Sequence, residues 1–196
     1  DFSNITVTGA STLLGFNNTD GTTGTIKTIT GNTLSNWSGT TNSITAMNIG
    51  YINGVSSISN NTITGLSGQA AISGIVIGSS QNTGNPLTVS ANTINGFTSS
   101  GTGGNVVGIS CSNTSTVINI TGHTIFNLST TAASGTVSGI VIAGSTSTNV
   151  FNNKIYNLSA SGATPLVSGI VVSSGTSAKI YNNYIGDLSA TAASNG

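Results

Sequence analysis

Charge is what this sequence most conspicuously lacks. Three Lys and three Asp carry all of it (Lys27, Lys154, Lys179, Asp1, Asp20 and Asp187), with no Arg and no Glu in 196 residues. So neutral a chain has no electrostatic footprint for nucleic acid or for an anionic membrane surface. Carboxylates are equally scarce. Glycoside hydrolysis needs two of them flanking one bond, and a calcium site needs several close together. Asp20 and Asp187 lie near opposite ends of the chain, with Asp1 at the terminus. The expectation is therefore a non-enzyme with no cofactor and no metal site. Cys111 is the single cysteine, which excludes an internal disulfide. No apolar run reaches the eighteen residues of a membrane-spanning helix, so no membrane insertion is expected. The start, Asp1-Phe2-Ser3-Asn4, has neither the basic residues nor the apolar centre of a signal peptide, and the sequence reads as a mature product or an internal segment.

What the sequence does have is a schedule. An apolar residue, two others, Asn, one residue, Ile or Leu, two others and an apolar residue recur along the chain. The copies are Ile29–Asn32–Leu34–Trp37, Ile58–Asn61–Ile63–Leu66, Val89–Asn92–Ile94–Phe97, Ile120–His123–Ile125–Leu128, Val150–Asn153–Ile155–Leu158 and Ile180–Asn183–Ile185–Leu188. Successive copies are 29, 31, 31, 30 and 30 residues apart. A fixed period of this size marks a solenoid, in which each repeat buries its apolar face against its neighbours.

Each repeat carries three short apolar stretches. The first is the Gly-Ile type, as in Ser73-Gly74-Ile75-Val76-Ile77 and Ser138-Gly139-Ile140-Val141-Ile142. The second surrounds Ile29, Ile58, Val89, Ile120, Val150 and Ile180, and the third carries Leu34, Ile63, Ile94, Ile125, Ile155 and Ile185. All are short and rich in β-branched residues, alternate apolar with polar, and are punctuated by Gly and Ser, as half-buried strands are. Pro86 and Pro165 fall in the gaps, where no ladder hydrogen bond is lost.

Three strands per turn of about thirty residues predict an all-β, right-handed parallel β-helix of about six coils. With roughly 4.8 Å between coils, the rod would be about 30 Å long. A β-propeller is the discarded alternative, because its blades need about forty residues and four antiparallel strands. The repeat spans nearly the whole chain, so residues 1–196 read as a single domain. Residues 1–28 match the period loosely, with Ile5 in the place of Leu34 and Leu14 or Phe16 in the Gly-Ile role.

The column Asn32, Asn61, Asn92, His123, Asn153 and Asn183 belongs at the bend between the second and third strands. Asn tolerates left-handed backbone geometry, and stacked amides bond to the copies above and below. This column resembles the asparagine ladder of right-handed parallel β-helices with the pectate-lyase-like fold, over roughly Ile29 to Leu188. The repeat wording Asn152-Asn153-Lys154-Ile155-Tyr156-Asn157-Leu158-Ser159, followed by Ser168-Gly169-Ile170-Val171-Val172, also resembles the long secreted β-helix repeat proteins of bacterial cell surfaces. The resemblance implies an extracellular, adhesin-like, filamentous structural protein. Pectate lyases and polygalacturonases share the fold, but their chemistry implies clustered charges that this sequence lacks, and fold alone does not transfer activity.

His123 occupies the Asn slot of its own repeat and reads as a member of the ladder. Cys111 matches Ile49, Ile77, Ile142 and Val172 in other copies and reads as a small buried residue. Trp37 and Phe97 align with leucines and belong to the core. Phe126, Phe151, Tyr156, Tyr181 and Tyr184 fall at outward positions in the last three coils, where one exposed patch would suit a carbohydrate or a neighbouring rod. Thr33, Thr62, Thr93 and Thr124, followed by Lys154 and Tyr184, form an outward column. Such Thr arrays resemble the surfaces of ice-binding proteins, although Thr is also simply a good outward strand residue. The sequons at Asn36, Asn127 and Asn157 overlap the repeat and are read as products of it.

The final stretch, Ser189 to Gly196, echoes the loop Ser129 to Gly135, after which a Gly-Ile strand is due. No polar cap is visible there. The sequence-based expectation is a non-enzymatic structural or adhesive stalk whose partners are further repeats or copies end to end. Carbohydrate binding to surface glycans through the Tyr/Phe patch and ice binding through the Thr columns are the alternatives.

Overall fold

Short β-branched stretches set apart by Gly, Ser and Asn are too brief for helices, and each finds its partner one repeat away. The computed structural model describes residues 1–20, 26–53, 55–78, 80–81, 86–112 and 117–192. The end of the expected C-terminal echo, 193–196, and residues 21–25 of the loosely matching first segment lie outside the described residues. Within them the chain is an all-β, right-handed parallel solenoid of about six turns, with three strands per coil and no helix. Every strand pairing is parallel, which a propeller would not allow.

Three long sheets run the length of the rod. The first is built from Leu13–Asn18, Ile44–Ile49, Ile72–Ile77, Val106–Cys111, Thr136–Ala143 and Leu166–Ser174. The second stacks Thr28–Thr30, Ser57–Ser59, Leu87–Ser90, Val117–Thr121, Ser147–Phe151 and Ala178–Tyr181. The third stacks Thr33–Gly39, Thr62–Gly68, Thr93–Ser99, Thr124–Thr130, Lys154–Ala160 and Tyr184–Ala190, with Phe2–Ser3 and Thr6–Val7 both paired to the first of these. A further pair, Ile52–Asn53 with Ser80–Gln81, makes a two-stranded ribbon.

The core is a set of columns. Ile63, Ile94, Ile125 and Ile155 are fully buried, as are Trp37, Leu66, Phe97, Leu128 and Leu158. Cys111 is buried in register between Ile77 and Ile142. Each such Ile or Leu contributes about 1.5–3 kcal/mol relative to exposure. Close approach of the sheets explains the Gly-Ile wording. A Cβ at Gly108 would lie 2.6 Å from the Gly139 carbonyl oxygen and 2.9 Å from Ile125 Cγ2, and one at Gly139 would lie 2.6 Å from the Gly169 carbonyl oxygen and 2.7 Å from Ile155 Cγ2.

Two features differ from the sequence-based expectation. Strict alternation fails in the first and third sheets. In the first, Gly74 and Ile75 are both buried; in the third, Thr64 and Gly65 both lie toward the outside between buried Ile63 and Leu66. The first coil also takes another register. Phe2, not Ile5, pairs with Leu34, and Phe16 pairs with Met47 while Leu14 stays exposed. The backbone kink at Asn4 matches that at Asn36, at a distance of 32 residues rather than 29, and that match sets the register.

Candidate functional site

The bend between the second and third sheets is two residues long. Its first residue is left-handed in every coil: Gly31, Asn60, Ala91, Gly122, Asn152 and Asn182, with φ between 52° and 69°. The ladder residue is the second and has ordinary φ. The expectation that the ladder Asn supplies the left-handed geometry is therefore corrected by one residue. Its role is hydrogen bonding.

Those bonds repeat coil after coil. The Asn61 backbone N–H donates to Asn92 Oδ1 (2.9 Å), while Asn61 Nδ2 donates to Asn92 Oδ1 (2.9 Å) and to the Ile29 carbonyl (3.0 Å). Asn32 makes the same backbone and amide bonds to Asn61 Oδ1 (3.0 and 2.9 Å). Asn153 Nδ2 reaches the Ile120 carbonyl (3.0 Å) and Asn183 Oδ1 (2.9 Å), and Asn183 Nδ2 reaches the Val150 carbonyl (2.8 Å). Asn61, Asn92 and Asn153 are buried, so these side chains satisfy backbone groups that no water can reach.

His123 reproduces the pattern with a ring. Its Nδ1 accepts the Asn92 N–H (3.0 Å) and its Nε2–H donates to the Val89 carbonyl (3.0 Å), while its own backbone N–H donates to Asn153 Oδ1 (3.0 Å). The ring is buried, and desolvation lowers its pKa from 6.5 to about 4, partly opposed by the hydrogen bond to the Val89 carbonyl.

The five outward aromatics lie on two sheets, either side of this bend. Phe126 and Tyr156 stack on the third sheet, with centroids 5.1 Å apart and planes within 6°. Phe151 and Tyr181 stack on the second, 5.0 Å apart and within 1°. The Lys154 ammonium sits 4.9 Å from the Tyr156 ring centroid and 6.0 Å from that of Tyr184. The rings turn their faces to one another and to Lys154. Tyr181 and Tyr184 are the most open, at 45% and 56% exposure.

The Thr column is in register from Thr33 through Thr62, Thr93 and Thr124 to Lys154 and Tyr184. Hydroxyls in neighbouring columns bond along the axis, as Ser38 to Thr6 (3.1 Å) and Ser129 to Thr98 (3.4 Å). Beside them runs a shallow, open groove of about 270 Å³ lined by Ser38, Gly39, Thr40, Ser67, Gly68, Gln69, Thr98 and Ser100. Asp20 is 3.5 Å from the Lys27 ammonium. No group of three or more His, Cys, Asp or Glu comes together among the described residues.

One set of residues escaped the sequence reading. Asn4, Asn36, Gly65, Gly96, Asn127, Asn157 and Asp187 form a second left-handed column on the outside of the third sheet. Its amides also bond along the axis, Asn157 Nδ2 to Asn127 Oδ1 (2.6 Å) and Asn36 Nδ2 to Asn4 Oδ1 (3.3 Å). The signal was present. Ile63 and Leu66 are three apart, which plain alternation cannot place on one face, and the residue before each such Leu, Trp or Phe is Asn, Gly or Asp in every copy. The column also explains the sequons: a left-handed Asn, a core residue and an outward Ser.

Comparison of the chain with protein-family models, curated proteins and solved structures finds no match.

Proposed function

We propose that this chain is a non-enzymatic structural or adhesive rod, a stalk or fibre segment working outside the cell or at its surface. One observation carries the reading. The outer side chains engage their equivalents one coil away: amide on amide, hydroxyl on hydroxyl, ring on ring. A catalytic centre needs different groups converging on one reacting atom, whereas these run in parallel lines along an axis. The bend ladder supports placing the rod among the pectate-lyase-like β-helices, and the repeat wording supports the surface-exposed, filamentous kind.

The partners in this reading are further coils or other copies stacked end to end. Ile180, Ile185 and Leu188 are 41–49% exposed, in register with the buried Val150, Ile155 and Leu158. An apolar surface of that pattern fits another coil of the same kind.

Electron microscopy of the protein in its native preparation tests the proposal. Filaments with an axial repeat of about 4.8 Å support it. Short isolated rods that bind glycans, with binding lost on Tyr181→Ala and Tyr184→Ala, would replace it with carbohydrate recognition. Short rods that shape ice or give thermal hysteresis would replace it with ice binding.

A further inference from the structure

Of the steps in the bend ladder, the one between Asn92 and His123 is made by a titratable group. The hydrogen bonds fix its state. Nδ1 must keep its lone pair to accept the Asn92 N–H, and Nε2 must keep its proton to donate to the Val89 carbonyl. A protonated imidazole carries N–H on both nitrogens, so Nδ1–H would be set against the Asn92 N–H with no acceptor between them. An Asn side chain has no corresponding proton to gain in the same pH range.

The surroundings offer the imidazolium nothing in exchange. The ring is 1% exposed. The strands of its own coil and the two adjacent coils are Ile72–Ile77, Leu87–Ser90, Thr93–Ser99, Val106–Cys111, Val117–Thr121, Thr124–Thr130, Thr136–Ala143, Ser147–Phe151 and Lys154–Ala160. The titratable groups on them are Cys111, Lys154 and Tyr156. Cys111 lies in a core column of the first sheet, and the Lys154 ammonium is held over the Tyr156 ring on the outer face. No carboxylate is among them.

We infer that His123 makes the interface between the coils of Asn92 and His123 an acid-sensitive joint: continuous while the ring is neutral, and the first interface of the rod to open once it is protonated. Because coils of a solenoid contact only their neighbours, the opening is local to that interface. The lowered pKa places it in the acid range, well below that of an ordinary histidine.

Hydrogen exchange on the full chain between pH 7 and pH 4, corrected for intrinsic rates, tests this with an internal control. The Asn92 amide donates to the ring, and the Asn61 amide makes the equivalent bond to Asn92 Oδ1. Protection at Asn92 should fall by about tenfold or more relative to Asn61 as the pH drops, and His123→Asn should abolish the difference. Parallel loss at both amides, or the same profile in the variant, would overturn the inference. Nitrogen-15 spectra of the ring give a second readout on the unaltered protein: Nε2–H with bare Nδ1 at pH 7 agrees with it, and Nδ1–H overturns it.

Discussion

Asparagine forms two columns in this rod, and the two are there for different reasons. The inner column, at the bend between the second and third sheets, is chosen for what its side chain bonds. Its one departure is His123, which reproduces an acceptor and a donor in the places of the amide oxygen and nitrogen. The outer column, on the third sheet, is chosen for what its backbone tolerates. Its departures are Gly65, Gly96 and Asp187, which share left-handed φ with Asn36, Asn127 and Asn157 but cannot repeat an amide ladder. What substitutes for Asn thus reveals why Asn is there. The same residue type at the same period carries buried hydrogen bonds in one place and a backbone kink in the other.

The contrast is open to attack from the inside first. Asn153→Leu removes the acceptor for the His123 N–H and the donor to the Ile120 carbonyl, both buried. At about 1–3 kcal/mol for each unsatisfied group, roughly 2–6 kcal/mol of stability should disappear in denaturant melts.

Acid should find the other weak point of the inner column. The folded pKa of His123 lies below the unfolded one, so between them the unfolded chain binds the proton and the folded chain does not. Stability is complete above about pH 6.5, declines as the pH falls toward about 4, and levels off below that. The drop is about 3 kcal/mol. It should be missing in His123→Asn when both proteins are melted across that range.

Outer-column changes should be milder. Asn157→Ala puts a residue without a polar side chain into left-handed backbone that Asn tolerates, deletes the amide bond to Asn127, and should cost roughly 1–2 kcal/mol by the same melts. Smallest of all, Lys154→Ser on the adjacent outward column gives up a cation–ring contact at an exposed site and should cost less than about 1 kcal/mol.

Much of this molecule was legible from its sequence because a solenoid repeats its evidence. One strand of alternating Ile and Thr is ambiguous, whereas six copies at the same spacing are not. The ladder was visible for the same reason, and so was the place of His123 in it, which stands where an Asn is due. The outer column was harder to see. A left-handed residue is satisfied by Asn, Gly or Asp, so its identity varies while its geometry does not, and the eye follows identity. The first coil hid its register for a related reason. Phe2 and Phe16 hold places that Ile, Leu or Met take elsewhere, no ladder residue marks the bend, and only the shared kink of Asn4 and Asn36 fixes the alignment. The sequence showed the five outward aromatics but not their pairing, because stacking depends on which ring faces which across the coils.

One substitution, made once in each column, tests the distinction most directly: Asn153→Gly and Asn157→Gly, compared in equilibrium denaturation at pH 7. Glycine keeps the backbone freedom and deletes the amide. If the inner column works by hydrogen bonding and the outer by backbone geometry, Asn153→Gly loses at least about 2 kcal/mol and Asn157→Gly stays within about 0.5 kcal/mol of the parent. Equal losses in the two variants would contradict it.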